Sequence, residues 1–343
     1  MPTKQPSKAP TKVPSSSPSL KPSLEASEMP SRAQSLSPSQ HASSTPSKAH
    51  SYSPTHMPSV IPTSSPSVTP STNQPTETGI IVTEQGSTVF YVIGGVFQGE
   101  ERNGLEERLR SLPSSDGEWL VHLGDFNNFF ETECASYAYE EFNSLLSNSP
   151  VPVYCTPGDN EWNDCPSPDQ AWTNWMTYLG KYDTQYWDKP SLYTVQRQKG
   201  QGENFAFVHH RVAYIGVNMV GGFLHDQDEW NTRHESNLRW IRNRVEKYYE
   251  NVEIVVIFGH AEPNSSNDNF FTTLAEYITD WDVVTIYMHE SRTEMQLSSN
   301  FKNVQQFLLM AVQGGIWPPA RVYIDTAKNR IRINQNNWHL EAP

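Results

Sequence analysis

Four short stretches share a design suited to holding a cation or an anionic ester. LVHLGDFNNF carries Asp125 directly after an apolar run and Gly124, and CTPGDNEW carries Asp159, Asn160 and Glu161. VVIFGHAEP carries His260 after Gly259, and IYMHESR carries His289, Glu290 and Arg292. Glycine lets the chain turn sharply out of a strand, and rigid strand ends hold oxygen and nitrogen donors within reach of one ion. A single acid after a strand is commonplace. Four such signatures in succession, mixing carboxylate, amide and imidazole, predict a metal centre at a sheet edge. Taken singly, the residues have plainer readings: a cap for Asp125, a backbone-bonded buried ring for His260, a solvated loop acid for Glu290.

A fifth run breaks the pattern. FYVIGGVFQGEERNG (Phe90–Gly104) reads as a buried strand that stops at Gly94 and Gly95 and brings no acid to the edge.

The elements that must position these residues are legible from periodicity. TVFYVIG, EWLVHLGD and VPVYC read as strands, separated by helical patterns in GLEERLRSL and ECASYAYEEFNSLLSN. DQAWTNWMTYLG reads as a further helix. NFAFVHHRVAYIGVN reads as a hairpin turning near His209, His210 and Arg211. A polar loop is expected over 225–234, carrying His225 and His234, before a helix ESNLRWIRNRVEKYY. VEIVVIF and WDVVTIYMHES read as buried strands around the helix FTTLAEYITD, and strands near 303–311, 321–326 and 330–335 close the domain. Apolar β-branched runs bounded by polar turns fit strands covered on both faces. The fold class expected is α/β, as a four-layer α/β/β/α sandwich with its ligand loops beyond the strand C-termini.

Composition divides the chain near residue 78. The first 80 residues hold 15 of the 26 prolines and no Trp, Phe or Cys. Proline removes backbone donors, and Ser and Thr offer little apolar area to offset ordering entropy. Residues 1–78 therefore read as a disordered, low-complexity Pro/Ser/Thr-rich linker or stalk, and 79–343 as the folded domain. Hydroxyl density of this kind suits O-glycosylation and a secreted or cell-surface setting, although the Met1 end, MPTKQPSK, shows no apolar leader. No run approaches the ~18 apolar residues of a membrane span. Beyond residue 80 there are 19 Lys and Arg against 35 Asp and Glu, a balance that argues against nucleic acid as a partner. Phosphorylated small molecules, glycans or proteins are the partner classes that remain. The aromatic-rich stretch 162–193 offers a rim for any of them. Cys134 and Cys165 are placed where one bridge is possible or none forms, and Cys155 reads as a buried strand residue.

In order and spacing, the blocks resemble those of the calcineurin-like metallophosphoesterases, over about residues 88–335. That family's five blocks are Asp-x-His, Gly-Asp, Gly-Asn-His-Asp/Glu, a lone His, and Gly-His-x-His or Gly-Asp-x-His. Gly124-Asp125 matches the second, Gly158 to Glu161 stands where the third belongs, Gly259-His260 where the fourth does, and His289 to Arg292 falls over the last. The resemblance implies a two-metal hydrolase of phosphate esters. The departures qualify it. Positions holding one metal in the family correspond to Gly95, Phe97, Asp125 and Arg292, so three of four ligands are gone and a guanidinium stands among the replacements.

The second metal's positions correspond to Asp125, Asp159 or Asn160, His260 and Glu290. Asp159 is preferred as the ligand because the preceding glycine fixes the turn. Such a mixed O/N set takes one divalent ion, Zn²⁺, Mn²⁺ or Fe²⁺. Asn160 then replaces the family's proton-handling His, and an amide cannot protonate a departing alkoxide. The first reading is a phosphoesterase-like binding or surface module, weakly active or inactive, with an incomplete binuclear site. The alternative is a phosphomonoesterase or phosphodiesterase working through a single ion, with Asn160, Arg292 and His225 as its catalytic residues. In that alternative Arg292 steadies phosphate and His225 activates water. Asn264-Ser265-Ser266 is a glycosylation sequon close after His260.

Overall fold

The computed structural model describes residues 85–335 apart from 98, 115–117, 128–133 and 191–192; the predicted Pro/Ser/Thr stalk, residues 1–78, lies outside the described residues. The fold is mixed α/β with two sheets. The first has the order β12-β11-β1-β2-β3, built from β1 (Ser87–Ile93), β2 (Leu120–His122), β3 (Val153–Cys155), β11 (Ala320–Asp325) and β12 (Arg330–Asn334). Here β1, β2 and β3 are parallel neighbours, and the β11–β12 hairpin joins antiparallel to β1.

The second sheet has the order β4-β5-β6-β7-β8-β10-β9. It uses β4 (Gln196–Gln198), β5 (Gln201–His209), β6 (Val212–Gly216), β7 (Ile254–Phe258), β8 (Val284–Ser291), β9 (Gln296–Ser298) and β10 (Phe307–Gln313). Strands β6, β7, β8 and β10 run parallel.

Strand alternation decides which core each residue enters, because successive side chains point to opposite faces. Phe90 and Val92 of β1 join Val121 of β2 and the set Tyr214, Val256, Phe258 and Met288 of the second sheet in one buried cluster. Their neighbours Tyr91, Ile93 and Leu120 face the other way. There they pack on three helices, α1 (Glu100–Arg110), α2 (Ser136–Leu146) and α3 (Pro168–Tyr178), through Leu105, Leu109, Phe142, Leu146 and Trp175. Ala213, Ile215, Val255 and Ile257 pack on α4 (Gln227–Tyr248) and α5 (Asp268–Trp281). Every core strand is thus apolar on both faces. At ~1.5–3 kcal/mol per fully buried large apolar side chain, these clusters make both sheets rigid supports.

Two departures from the sequence reading have clear causes. The expected polar loop 225–234 is mostly the first turns of α4. Asp226 Oδ1 accepts from the backbone N–H of Asp228 (2.9 Å) and Glu229 (3.1 Å), an N-terminal cap. Trp230, Arg233 and His234 then bury along one helix face. His234, expected on that loop, sits between the rings of Trp230 and Phe270 instead. The helix α1 starts four residues before the expected Gly104, because Glu101 near its N-terminus is fixed by partners outside the helix, the Phe97 N–H and Arg292. Cys134 and Cys165 form a disulfide, and Cys155 is buried and free. Closing a loop of that length is worth ~3–4 kcal/mol in the chain-entropy picture.

Candidate metal centre

The ends of β2, β3, β7 and β8 meet at one edge, and the turns leaving them interlock. Gly124 (φ 93°) and Asp125 (φ 64°) both adopt left-handed backbone. A Cβ at Gly124 would lie 2.5 Å from the Gly158 nitrogen, and one at Gly158 would lie 2.3 Å from the Asp125 nitrogen. Only glycine permits that approach of two backbones.

Glu161 locks the crossing. It is fully buried, and its carboxylate accepts from the backbone N–H groups of Gly158 (2.7 Å), Asp125 (3.1 Å) and Phe126 (3.4 Å). Burial pushes its pKa up to about 7, against the pull of His260 and these donors. The residue sits in a one-turn π-helix, Asp159–Asn163. Its spacing from Gly158 is that of a capping box, the one sequence signal that could have assigned it. With Asp159 or Asn160 as the expected ligand, the sequence reading gives Glu161 no anchoring role.

With the turns fixed, the polar groups converge. Asp125, His260 and Glu290 each place a donor atom within 4.8 Å of the others. His260 Nε2 lies 3.5 Å from Asp125 Oδ1 and 3.5 Å from Asp159 Oδ1. His260 Nδ1 lies 3.0 Å from the Leu123 carbonyl oxygen. A carbonyl only accepts, so Nδ1 carries the proton and Nε2 faces the carboxylates, the orientation usual for a metal-ligating imidazole.

Asn160 does not enter this ring as a ligand. Its side-chain N–H donates to Asp125 Oδ2 (2.8 Å) and its backbone N–H to Asp125 Oδ1 (3.3 Å). It therefore orients Asp125, while Asp159 faces His260.

The electrostatics favour a cation. Burial raises Asp125 well above the usual carboxylate range, and the adjacent Asp159, Glu161 and Glu290 add to the rise although His260 opposes it. Burial also raises Glu290, offset in part by His260 and Arg292. Burial lifts Asp159 too, but the His260 ring beside it outweighs that and holds it below its ordinary value. Burial depresses His260, yet Asp125, Asp159 and Glu290 together raise it well above a free imidazole. Four carboxylates share one imidazole, and Glu290 Oε1 is buried without a hydrogen-bond partner. A buried acceptor left unpaired costs ~1–3 kcal/mol, and a divalent ion among these donors removes that cost. The donor set fits a metal.

The adjoining half of the cleft is filled differently. Gly95 lies against the cluster so closely that a Cβ would meet Glu290 Oε1 at 3.0 Å and Asp125 Cβ at 3.1 Å. Arg292 donates to the Gly95 carbonyl (3.2 Å) and to both oxygens of Glu101 (3.1 and 2.9 Å). Its guanidinium also stacks 3.9 Å over the Phe97 ring. His225 is exposed, close to the Phe223 ring and to Asp164, on a loop whose Phe223 N–H is held by Asp164. Of the seven residues singled out, the structure brings together Asp125, Asp159, His260 and Glu290, with Asn160 behind Asp125. It leaves His225 on the exposed loop and ties Arg292 to Glu101. His289 is buried, its Nδ1 2.8 Å from the Glu290 carbonyl oxygen.

No family model matches the sequence, and no curated protein matches it. Among solved structures the chain is similar to GAP50, the anchor in the inner membrane complex of Plasmodium. The identity there is 8% and the TM-score 0.48, covering 73% of this chain and 84% of that one. An archaeal phosphodiesterase follows at 10% identity and TM-score 0.31, covering 72% and 99%. An amidase from Nesterenkonia sp. is similar at 5% identity and TM-score 0.29, covering 76% and 95%.

Proposed function

We propose that residues 79–343 form a metallophosphoesterase-like domain of the calcineurin-like α/β/β/α type. On this reading it holds one divalent ion, Zn²⁺, Mn²⁺ or Fe²⁺, through Asp125, Asp159, His260 and Glu290, and binds phosphate esters with little or no turnover. The observation that carries the reading is the asymmetry of the cleft: a carboxylate-rich half with an unpaired Glu290 oxygen, beside a half occupied by Gly95 and the Arg292–Glu101 pair. A bound ion supplies Lewis acidity toward a phosphoryl oxygen.

The chain's own residues supply orientation more than proton transfer. Asn160 carries no ionisable proton and is committed to Asp125. The N–H of His260 is committed to Leu123. His225 stands apart on an exposed loop. Arg292 commits three of its five N–H donors to Gly95 and Glu101, and turning its full fork to a phosphate means giving up Glu101, a partly exposed pair worth roughly 1 kcal/mol. With the disulfide and the Pro/Ser/Thr stretch before it, the domain suits display outside the cell; the expected aromatic rim over 162–193 is mostly core, with Trp175, Tyr182 and Tyr193 buried and Tyr186 exposed. Among the described residues no helix is long and apolar enough to cross a membrane.

Elemental analysis of the full chain, paired with an aryl-phosphate assay across Mn²⁺, Zn²⁺ and Fe²⁺, tests the reading. At this centre we expect one ion, lost in Asp125→Asn, and turnover no greater than that of the same variant. Turnover that collapses with Asp125→Asn supports the single-ion hydrolase instead. A chain that binds no ion dependent on Asp125 overturns both.

A further inference from the structure

The opposite ends of the strands carry a second constellation. We propose that Glu118, His209 and His210 form a separate transition-metal site, suited to Zn²⁺, at the pole of the two sheets away from Asp125. Their donor atoms lie within 4.8 Å of one another. Glu118 precedes β2, His209 ends β5, and His210 with Arg211 forms the tight turn into β6, so this corner is reached from the strand ends that the first centre does not use.

The local geometry points each group inward. Thr88 Oγ1 donates to Glu118 Oε1 at 3.0 Å, which leaves Oε2 facing His209. His209 Nε2 lies 2.7 Å from that oxygen, but the pair misses hydrogen-bond alignment. Both ring nitrogens of His209 lack a hydrogen-bond partner although the residue is only 1% exposed. The imidazole and the carboxylate oxygen thus face each other without a hydrogen bond, and as two ligands of a tetrahedral zinc ion, each ~2.0 Å from it, they would stand only about 0.6 Å farther apart.

The turn brings in the third donor at a cost. His210 (φ 45°) and Arg211 (φ 61°) both take left-handed backbone, where Asn-Gly is the usual choice. Non-glycine residues held there are disfavoured by ~1 kcal/mol or more each. The strained turn sets the two imidazole centroids 4.0 Å apart. Thr326 Oγ1 holds the His210 carbonyl at 3.0 Å, and Gly86 lies so close that a Cβ would come 2.4 Å from His210 Nδ1. Two imidazoles and one carboxylate are a zinc donor set that leaves a fourth position open. His210 and Glu118 are partly exposed, so an ion can enter.

The test is zinc stoichiometry of the full chain after equilibration and desalting. His210→Asn keeps a residue that tolerates the left-handed turn, and Glu118→Gln keeps shape and Thr88's acceptor. Each should remove one zinc equivalent from wild type and from Asp125→Asn alike, and should abolish the visible ligand-field band of the Co²⁺-loaded Asp125→Asn chain. Their melting temperatures in chelator should match their parents'. Because the readout is taken in the Asp125→Asn background, it succeeds or fails independently of the first centre. Unchanged zinc content in both variants overturns the site.

Discussion

The two halves of the cleft sit on neighbouring strand ends and are built on opposite principles. One half gathers Asp125, Asp159, His260 and Glu290 with too little positive charge among them. The other satisfies itself internally: Arg292 pairs with Glu101, stacks on Phe97 and bonds the Gly95 carbonyl. Acid exceeds cation in one half, and a tethered guanidinium balances its carboxylate in the other. The difference shows how neighbouring strand ends on one fold can settle their charge in two ways, one by clustering acids around an imidazole and the other by a guanidinium that pairs, stacks and hydrogen-bonds in place.

The comparison breaks most severely if the crossing of backbones is pried apart. Gly158→Ala puts a methyl group 2.3 Å from the Asp125 nitrogen, and backbone cannot yield as a side chain does. We expect a loss of ~3 kcal/mol or more, read as a melting temperature lower by ~6–12 °C, together with loss of bound metal. A variant as stable as wild type would mean that the two turns are not interlocked.

Glu161→Gln is next, at about 2 kcal/mol. The amide retains the shape but surrenders the charge that three backbone N–H groups share. Denaturant unfolding measures it, and any metal content should fall less than stability does, because the Glu161 carboxylate is committed to backbone N–H groups.

Gly95→Asp, alone or with Arg292→His, asks whether the closed half can be reopened. The Cβ contacts of 3.0 and 3.1 Å and the added negative charge predict ~1–2 kcal/mol of destabilisation and no gain of metal at the cleft. An extra equivalent, counted in the Glu118→Gln background, would break the comparison.

The smallest effect belongs to the arginine clamp. Arg292→Met should cost under about 1 kcal/mol at neutral pH, because the pair is partly exposed. Burial raises the Glu101 pKa, but Arg292 and the Phe97 N–H outweigh it, so the folded value lies below the ordinary 4.5. A depressed carboxylate contributes stability above its unfolded pKa and loses it as pH falls through the folded one. The difference between wild type and Arg292→Met should therefore shrink as pH falls below 4.5 and through the folded pKa, down to the part that the Phe97 stacking and the Gly95 hydrogen bond supply, and a difference that does not shrink with acid would sink the assignment.

Much of the folded part was legible in sequence. The apolar runs at β1, β7 and β8 could only be strands covered twice, and the stripe Phe271, Leu274, Ala275, Ile278 could only be a helix face. Short or polar elements were not legible: β4 and β9 carry Gln, Arg and Ser, and they exist because a neighbouring strand offers them hydrogen bonds. The start of α4 was hidden because Asp226, Asp228 and Glu229 read as loop until Trp230 and His234 find a core to enter.

For the candidate site, local sequence alone determined that glycine-acid and glycine-imidazole turns follow buried strands, since that is a property of residue order. Which side chains share a volume is a property of how turns cross, and only the tertiary structure decided it. Asp159 faces His260, Asn160 turns back to Asp125, and Glu161 disappears beneath both, three fates for three consecutive polar residues. The physical reason is the contact of Gly124 with Gly158: two backbones 34 residues apart in the chain approach closely enough that one buried carboxylate can serve both, and the polar side chains beside them are directed by that crossing.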